Sequence, residues 1–417
     1  MPADSSVWLE KSSAGKLEPS IGGRSRANLS VAFVDNESRM SSDFPSIARS
    51  GEDRDGCPQR EQDEAEAARR LVADLYRPNP AIYWIELILL AVVGWCTFAI
   101  SVALGFGSWK TYPLATLSIL SLYRASIFSH EISHIRGRAL NGYQTAWDVL
   151  IGIPLMLPSF VYVGMHKDHH KLSTYGTNDD PEYLPMAGHK GEIVRFAAGT
   201  LLLPGLCALR FVVLTPVGLV SKRFHDALER HASSLTINHR YERHMSKAER
   251  SRMYIIETLT LAFGLTMLGL ALSGMLPWRA FAMWYVVLGT AGFINTIRAL
   301  GAHRYESDGR PMTRLQQLHD SIDTPGRFWT ELWAPVGLRY HALHHYFPGL
   351  PYHNLGKAYR RLIAALAQEA AYRDSTSPSL PASLSALWNH EPVMPFESSD
   401  KPMTVDTPPA TTRKRAA

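Results

Sequence analysis

Cysteine is scarce in this chain: Cys57, Cys96 and Cys207 stand far apart among 417 residues. That spacing speaks against a disulfide framework, a thiolate-bound metal and a fused iron–sulfur module, each of which needs clustered cysteines. No strand followed by a glycine-rich turn and helix marks a dinucleotide site. Long lysine or arginine runs are missing, and a formal net charge of +5 is small for this length, so no nucleic-acid partner is expected. The N-terminus lacks the charged start, short apolar core and cleavage site of a secretory signal, and no solenoid-length repeat occurs.

What is present is an apolar middle between polar ends. Residues 1–75 mix Ser, Gly, Arg, Asp and Glu without helical or strand periodicity, and residues 371–417 are rich in Ser, Thr and Pro. Both are expected to be disordered tails around a membrane domain at 76–370. At about 20 residues per crossing, four runs can span a bilayer as helices: Ile82–Phe106, Tyr112–Phe128, Met253–Leu276 and Ala280–Leu300. Two further apolar stretches, Trp147–Met165 and Ile193–Val220, carry prolines, and the second also carries Arg195 and Arg210. Proline and charge disfavour simple spans. Between Ser221 and Arg252 lies a basic cluster, Lys222, Arg223, Arg230, Arg240, Arg243, Lys247, Arg250 and Arg252, the composition of a loop on the cytoplasmic side of a membrane.

Histidine carries the chemistry. Of 17 histidines, His130 and His134 are spaced i, i+4 in HEISH, while His166, His169 and His170 in HKDHH, and His341, His344 and His345 in HALHH, are spaced i, i+3, i+4. On a helix each spacing turns its imidazoles toward one small volume. Neutral imidazole suits iron, zinc and copper, and eight converging rings exceed what one tetrahedral ion can use, so two ions are expected. His130-Glu131-Ile132-Ser133-His134 also matches the zinc-hydrolase helix motif, with Glu131 as general base. A zinc membrane hydrolase would leave the two later triplets without a role. Asp168, Asp179, Asp180, Glu182 and His353 are candidates to orient liganding rings from behind. His189, His225, His231, His239, His244, His319 and His390 lack ligand spacing and read as surface residues.

HEISH, HKDHH and HALHH, in this order around paired spans, resemble the three histidine boxes of membrane fatty acid desaturases. The likeness extends through HHKLSTYGTNDDPEYLP after the middle box and HHYFPGLPYHNLG after the last, and covers about Ile82–Leu366. It implies an all-α integral membrane fold, with four transmembrane helices in two hairpins and a cytoplasmic helical cap holding a di-iron site. It also implies that His130, His134, His166, His169, His170, His341, His344 and His345 hold two iron ions. Some relatives add an asparagine and a histidine one turn later; here Asn295 fits, but the next turn has Ala299, which makes His303 the replacement and leaves Asn295 a further candidate. The reaction implied is O2-dependent desaturation of a lipid or acyl chain. Hydroxylation or ketone formation by the same superfamily is the alternative. Electrons would come from an external donor such as a ferredoxin or a cytochrome with its reductase.

A shared site places all three boxes on one side of the membrane. Trp147–Met165 and Ile193–Val220 then cannot cross once each, and are expected to be re-entrant or interfacial. Both tails and the metal site fall on the cytoplasmic side, in agreement with the basic loop.

Overall fold

The computed structural model describes residues 59–135 and 140–394, and among these the elements are helical, joined by a few isolated β-bridges such as His303 with Ser321. The first helix, α1 (Gln59–Val72), falls inside the stretch expected to be disordered. Ala68 and Val72, with Leu75 just beyond, are buried against a cluster containing Leu355 and Leu362. Arg361 donates to the Leu71 carbonyl at 3.0 Å and pairs with Asp74. An i, i+4, i+7 stripe of small apolar residues among many charges escapes a composition-based reading but suffices to seat a helix.

Asn79 caps α2 (Pro80–Leu104): its side-chain oxygen accepts from the Ala81 N–H at 3.1 Å, with Pro80 at the first helical position. Gly105, at φ +72°, ends the helix in a backbone region open to glycine. The chain then returns as α3 (Thr111–His134). The pair packs closely where Gly94 leaves room: Ser118 Oγ donates to the Gly94 carbonyl at 3.0 Å, and a Cβ there would lie 2.6 Å from Leu122. Arg124 of α3 pairs with Glu86 of α2 and with Glu331. These inward polar residues explain why α3, which contains the second expected span, is not among the four helices of the described residues long and apolar enough to cross a membrane.

After α3 come α4 (Tyr143–Leu155) and α5 (Phe160–His169), bent by 109° at the break between them. The rings of His134 and His166 are 5.0 Å apart, so this stretch leaves and rejoins the same level. The next helix, α6 (Lys190–Val220), passes the length and apolarity test for a span, where the shared site predicts a re-entrant or interfacial segment. Its surroundings nevertheless run sideways. Ala187 just before it is bonded to Tyr305, beside His303. Beyond α7 (Lys222–His231), Leu235 bonds to Val161 and Asn238 to the Asp180 carbonyl. The residues flanking the α6–α7 segment on both sides are therefore bonded to neighbours of the histidine motifs.

Two long helices follow, α8 (Lys247–Leu272), begun by a Ser246–Glu249 capping box, and α9 (Arg279–Leu300). With α2 and α6 they complete the set of four span-length apolar helices. Exposed Ile85 and Leu89 on α2 and Ile255 and Leu259 on α8 present the apolar surface that lipid would cover. Glu257 of α8 locks α6 and α7 in place: Arg210 Nη2 donates to it at 3.0 Å, and His225 Nε2 lies 2.6 Å from its other oxygen. His225, read from sequence as a surface residue, is thus buried, and its ring stacks on Tyr254. Glu257→Ala leaves the buried Arg210 guanidinium uncompensated and should destabilise the fold by about 3–5 kcal/mol, read as a lowered unfolding midpoint of the purified protein.

The chain beyond α9 caps the helices. It contains α10 (Arg314–Asp320), the six-residue α11 (His341–Tyr346), α12 (Tyr352–Ala365) and α13 (Leu380–Asn389). Here too the expected tail is shorter than the sequence suggested. Tyr372 donates to Asp323 at 2.6 Å, Ser375 to the Leu318 carbonyl at 2.8 Å, and Gly188 N bonds to the Leu387 carbonyl at 2.9 Å. The remaining parts of both expected tails, 1–58 and 395–417, lie outside the described residues.

Candidate metal centre

The three histidine motifs sit on three different helix ends: the C-terminus of α3, the end of α5 with the residue after it, and α11. Packing brings their nitrogens into two adjacent groups. His130, His134, His166, His170 and His344 form one, and His169, His303 and His345 the other, with ligand atoms within 4.8 Å of one another in each group. His341 joins the second, its Nε2 2.8 Å from that of His303 and 3.1 Å from that of His345. In the first group His170 Nε2 lies 3.0 Å from His166 Nε2 and 3.1 Å from His344 Nε2. His170 and His345 stack at 4.3 Å between centroids, so the two groups share a wall.

Carboxylates behind the rings set their orientation. His166 Nδ1 is 2.6 Å from Glu182, His169 Nδ1 is 2.9 Å from Asp180, and His303 Nδ1 is 3.2 Å from Asp320. Such a partner holds the proton on Nδ1 and leaves the Nε2 lone pair facing inward. Asp180 is itself held by the N–H groups of Gly176 and Glu182, and burial pushes the Glu182 carboxyl up to about 7. Burial also drives His341, His344 and His345 well below the ordinary imidazole range, which keeps them neutral. Among the described residues, the buried Nε2 atoms of His130 and His169 have no hydrogen-bond partner. Unsatisfied, inward-facing nitrogens are costly unless something accepts their lone pairs, and a metal ion does so.

Not every expected partner takes this role. Asp168 pairs with Lys171 and accepts from Tyr241, and Asp179 is exposed. His353 Nε2 accepts from Asn79 N at 3.1 Å, so it supports the start of α2. The Asn295 side-chain oxygen accepts from Arg298 Nε at 3.2 Å. Sequence reasoning missed Asp320, which also accepts from Tyr175 at 2.8 Å and Tyr183 at 2.7 Å. It missed Asp323 as well, whose carboxylate accepts from Leu343 N at 3.1 Å and so fixes the third-motif helix. Both lie in His319–Asp323, which has no ligand spacing to announce them. Glu131 accepts from Tyr83 at 2.6 Å and from Tyr352 N at 3.1 Å. Tied in this way, it is poorly placed to serve as the general base of a zinc hydrolase.

Span-length apolar helices with nine imidazoles converging at one end define a membrane oxidoreductase of the histidine-cluster class. The chain belongs to the fatty acid desaturase family, whose model matches residues 107–377, and so to the superfamily of membrane di-iron oxygenases. A ceramide hydroxylase of Caulobacter vibrioides (strain NA1000 / CB15N) is 37% identical over 343 residues, covering 80% of this chain and 96% of that protein.

Proposed function

We propose that this protein hydroxylates a ceramide-like lipid, using O2 and externally supplied electrons at two iron ions. The observation that carries this reading is similarity to a ceramide hydroxylase along nearly its whole length, in a chain that gathers nine histidines at one site. His130, His134, His166, His170 and His344 would hold one iron, and His169, His303, His341 and His345 the other. The irons, when bound, supply O2 activation and attack on an unactivated C–H bond. The protein's part is to fix the rings through Glu182, Asp180 and Asp320, keep the site dry, and place one carbon of the chain against it. One oxygen atom enters the product and the other leaves as water, with two electrons and two protons drawn from the donor system. The histidine level and the basic Ser221–Arg252 segment would face the cytoplasm, where that donor is met.

Desaturation, the reading first suggested by the histidine boxes, remains the second reading because the family as a whole carries that name. Expression in a host supplied with ceramide, followed by mass analysis of its lipids, separates the two. Hydroxylation adds one oxygen to the lipid; desaturation removes two hydrogens. A product lighter by two hydrogens with no oxygenated species would overturn the hydroxylase reading.

A further inference from the structure

The described residues bury three guanidinium groups, those of Arg210, Arg243 and Arg298. Arg210 is paired with Glu257, and Arg243 lies 3.9 Å from Glu249 while donating to the Phe160 carbonyl. Arg298 differs: its Nε donates to the neutral Asn295 amide, and its charge is felt by the Glu182 carboxyl without a direct ion pair among the described residues. A buried guanidinium with no carboxylate in contact is costly, and an oxygen acceptor on a ligand would complete it.

Arg298 lines a small recess together with Ala302, Thr324, Trp333, Leu338 and Arg339. Arg339 is also under-committed. Its Nε is buried without a partner, and Glu331, 3.4 Å from its Nη1, is shared with Arg124. Two donor-rich cations and the apolar side chains of Ala302, Ile322, Trp333 and Leu338 therefore surround a space of about 10 Å³, room for about one oxygen atom of water size. Ala302 directly precedes His303, and Arg339 stands two residues before His341. Arg298 lies in the last turn of α9, which ends at Leu300, and His303 follows three residues later. Nearby in sequence, Phe328 and Leu332 are exposed apolar residues.

We propose that Arg298, assisted by Arg339, anchors the polar head of the lipid substrate through a hydrogen-bond-accepting oxygen, so that oxidation falls on carbons near the head. This rests on the lipid-oxidation reading and adds the site and the position. Arg298 is a positioning residue: it fixes where the chain lies against the histidines without touching the reacting carbon. The shared chemistry is an oxygen acceptor, either an amide carbonyl or a phosphate.

The test uses iron-loaded wild-type protein, Arg298→Gln, Arg298→Lys and the half-buried Arg339→Gln, each in lipid nanodiscs with iron content measured. Equilibrium binding is read with radiolabelled N-hexadecanoyl sphinganine, its 1-phosphate and hexadecane. The proposal expects the two headed lipids to outcompete hexadecane, and Arg298→Gln to weaken them by about tenfold or more with iron unchanged. Arg298→Lys should restore part of the loss, and KM should rise more than kcat falls. A larger loss for the phosphate than for the neutral lipid assigns an anionic head; equal losses assign the carbonyl. Fragmentation of the product should place the new oxygen in the head-proximal part of the chain. Unchanged binding in both Arg298→Gln and Arg339→Gln, or oxidation at mid-chain, overturns the anchor even if turnover proceeds. Absence of any oxidised lipid with wild-type protein defeats the lipid-oxidation reading instead, and the binding arm still decides the anchor.

Discussion

Replacing His344 with alanine should remove most of the bound iron and all measurable oxidation. Its ring lies 4.3 Å from that of His130, 4.4 Å from His134 and 4.8 Å from His170, so it closes the larger histidine group. Wild-type protein should carry about two irons per chain, because nine converging imidazoles exceed the needs of one ion. A graded comparison makes the test sharper. Asp180→Asn leaves every ring in place and removes only the carboxylate behind His169, so metal affinity should fall by about 10–100-fold; His344→Ala should exceed that range. Metal analysis of the purified variants, paired with thermal unfolding to exclude a collapsed fold, reads both effects. One zinc per chain, retained in His344→Ala, would end the di-iron assignment.

Turnover should cease almost entirely without a separate electron donor. The sequence contains no dinucleotide fold and no clustered cysteines, so reduced nicotinamide, O2, lipid and enzyme alone should not sustain multiple turnovers. Adding a donor with its reductase should restore them. Full activity from the enzyme alone would refute this. The basic Ser221–Arg252 segment keeps Lys222, Arg223, Arg230, Arg240 and Lys247 exposed, charges that would attract an acidic donor. Arg243 is buried and donates to the Phe160 carbonyl at 2.7 Å, so it cannot belong to a docking face and its removal would damage the fold. Neutralising Arg240 and Lys247 should therefore slow donor-supported turnover in a salt-dependent way while bound iron stays intact, since exposed charges act mainly on encounter rates.

Local chemistry made much of this protein legible from its sequence. The i, i+3, i+4 histidine spacings, the order of the three motifs and the long apolar runs are all set within a few helical turns, and they pointed correctly to a desaturase-family membrane protein. From sequence, His303 is a candidate only through the family resemblance, as the histidine nearest beyond Asn295 where relatives carry one a turn later. Distant contacts were another matter. Asp320 reaches Tyr175 across 145 residues, and Tyr372 reaches Asp323 across 49, and no periodicity records such meetings. The prolines and arginines of the apolar Ile193–Val220 stretch disfavoured a simple span; the fold made it one long helix of span length and tied the residues flanking α6–α7 to neighbours far along the chain. The charges of Arg210, Arg243 and Arg298 look alike in sequence. Burial distinguishes them, because in a low-dielectric interior a cation must find a carboxylate, a carbonyl or a ligand, and only the tertiary structure decides which is within reach.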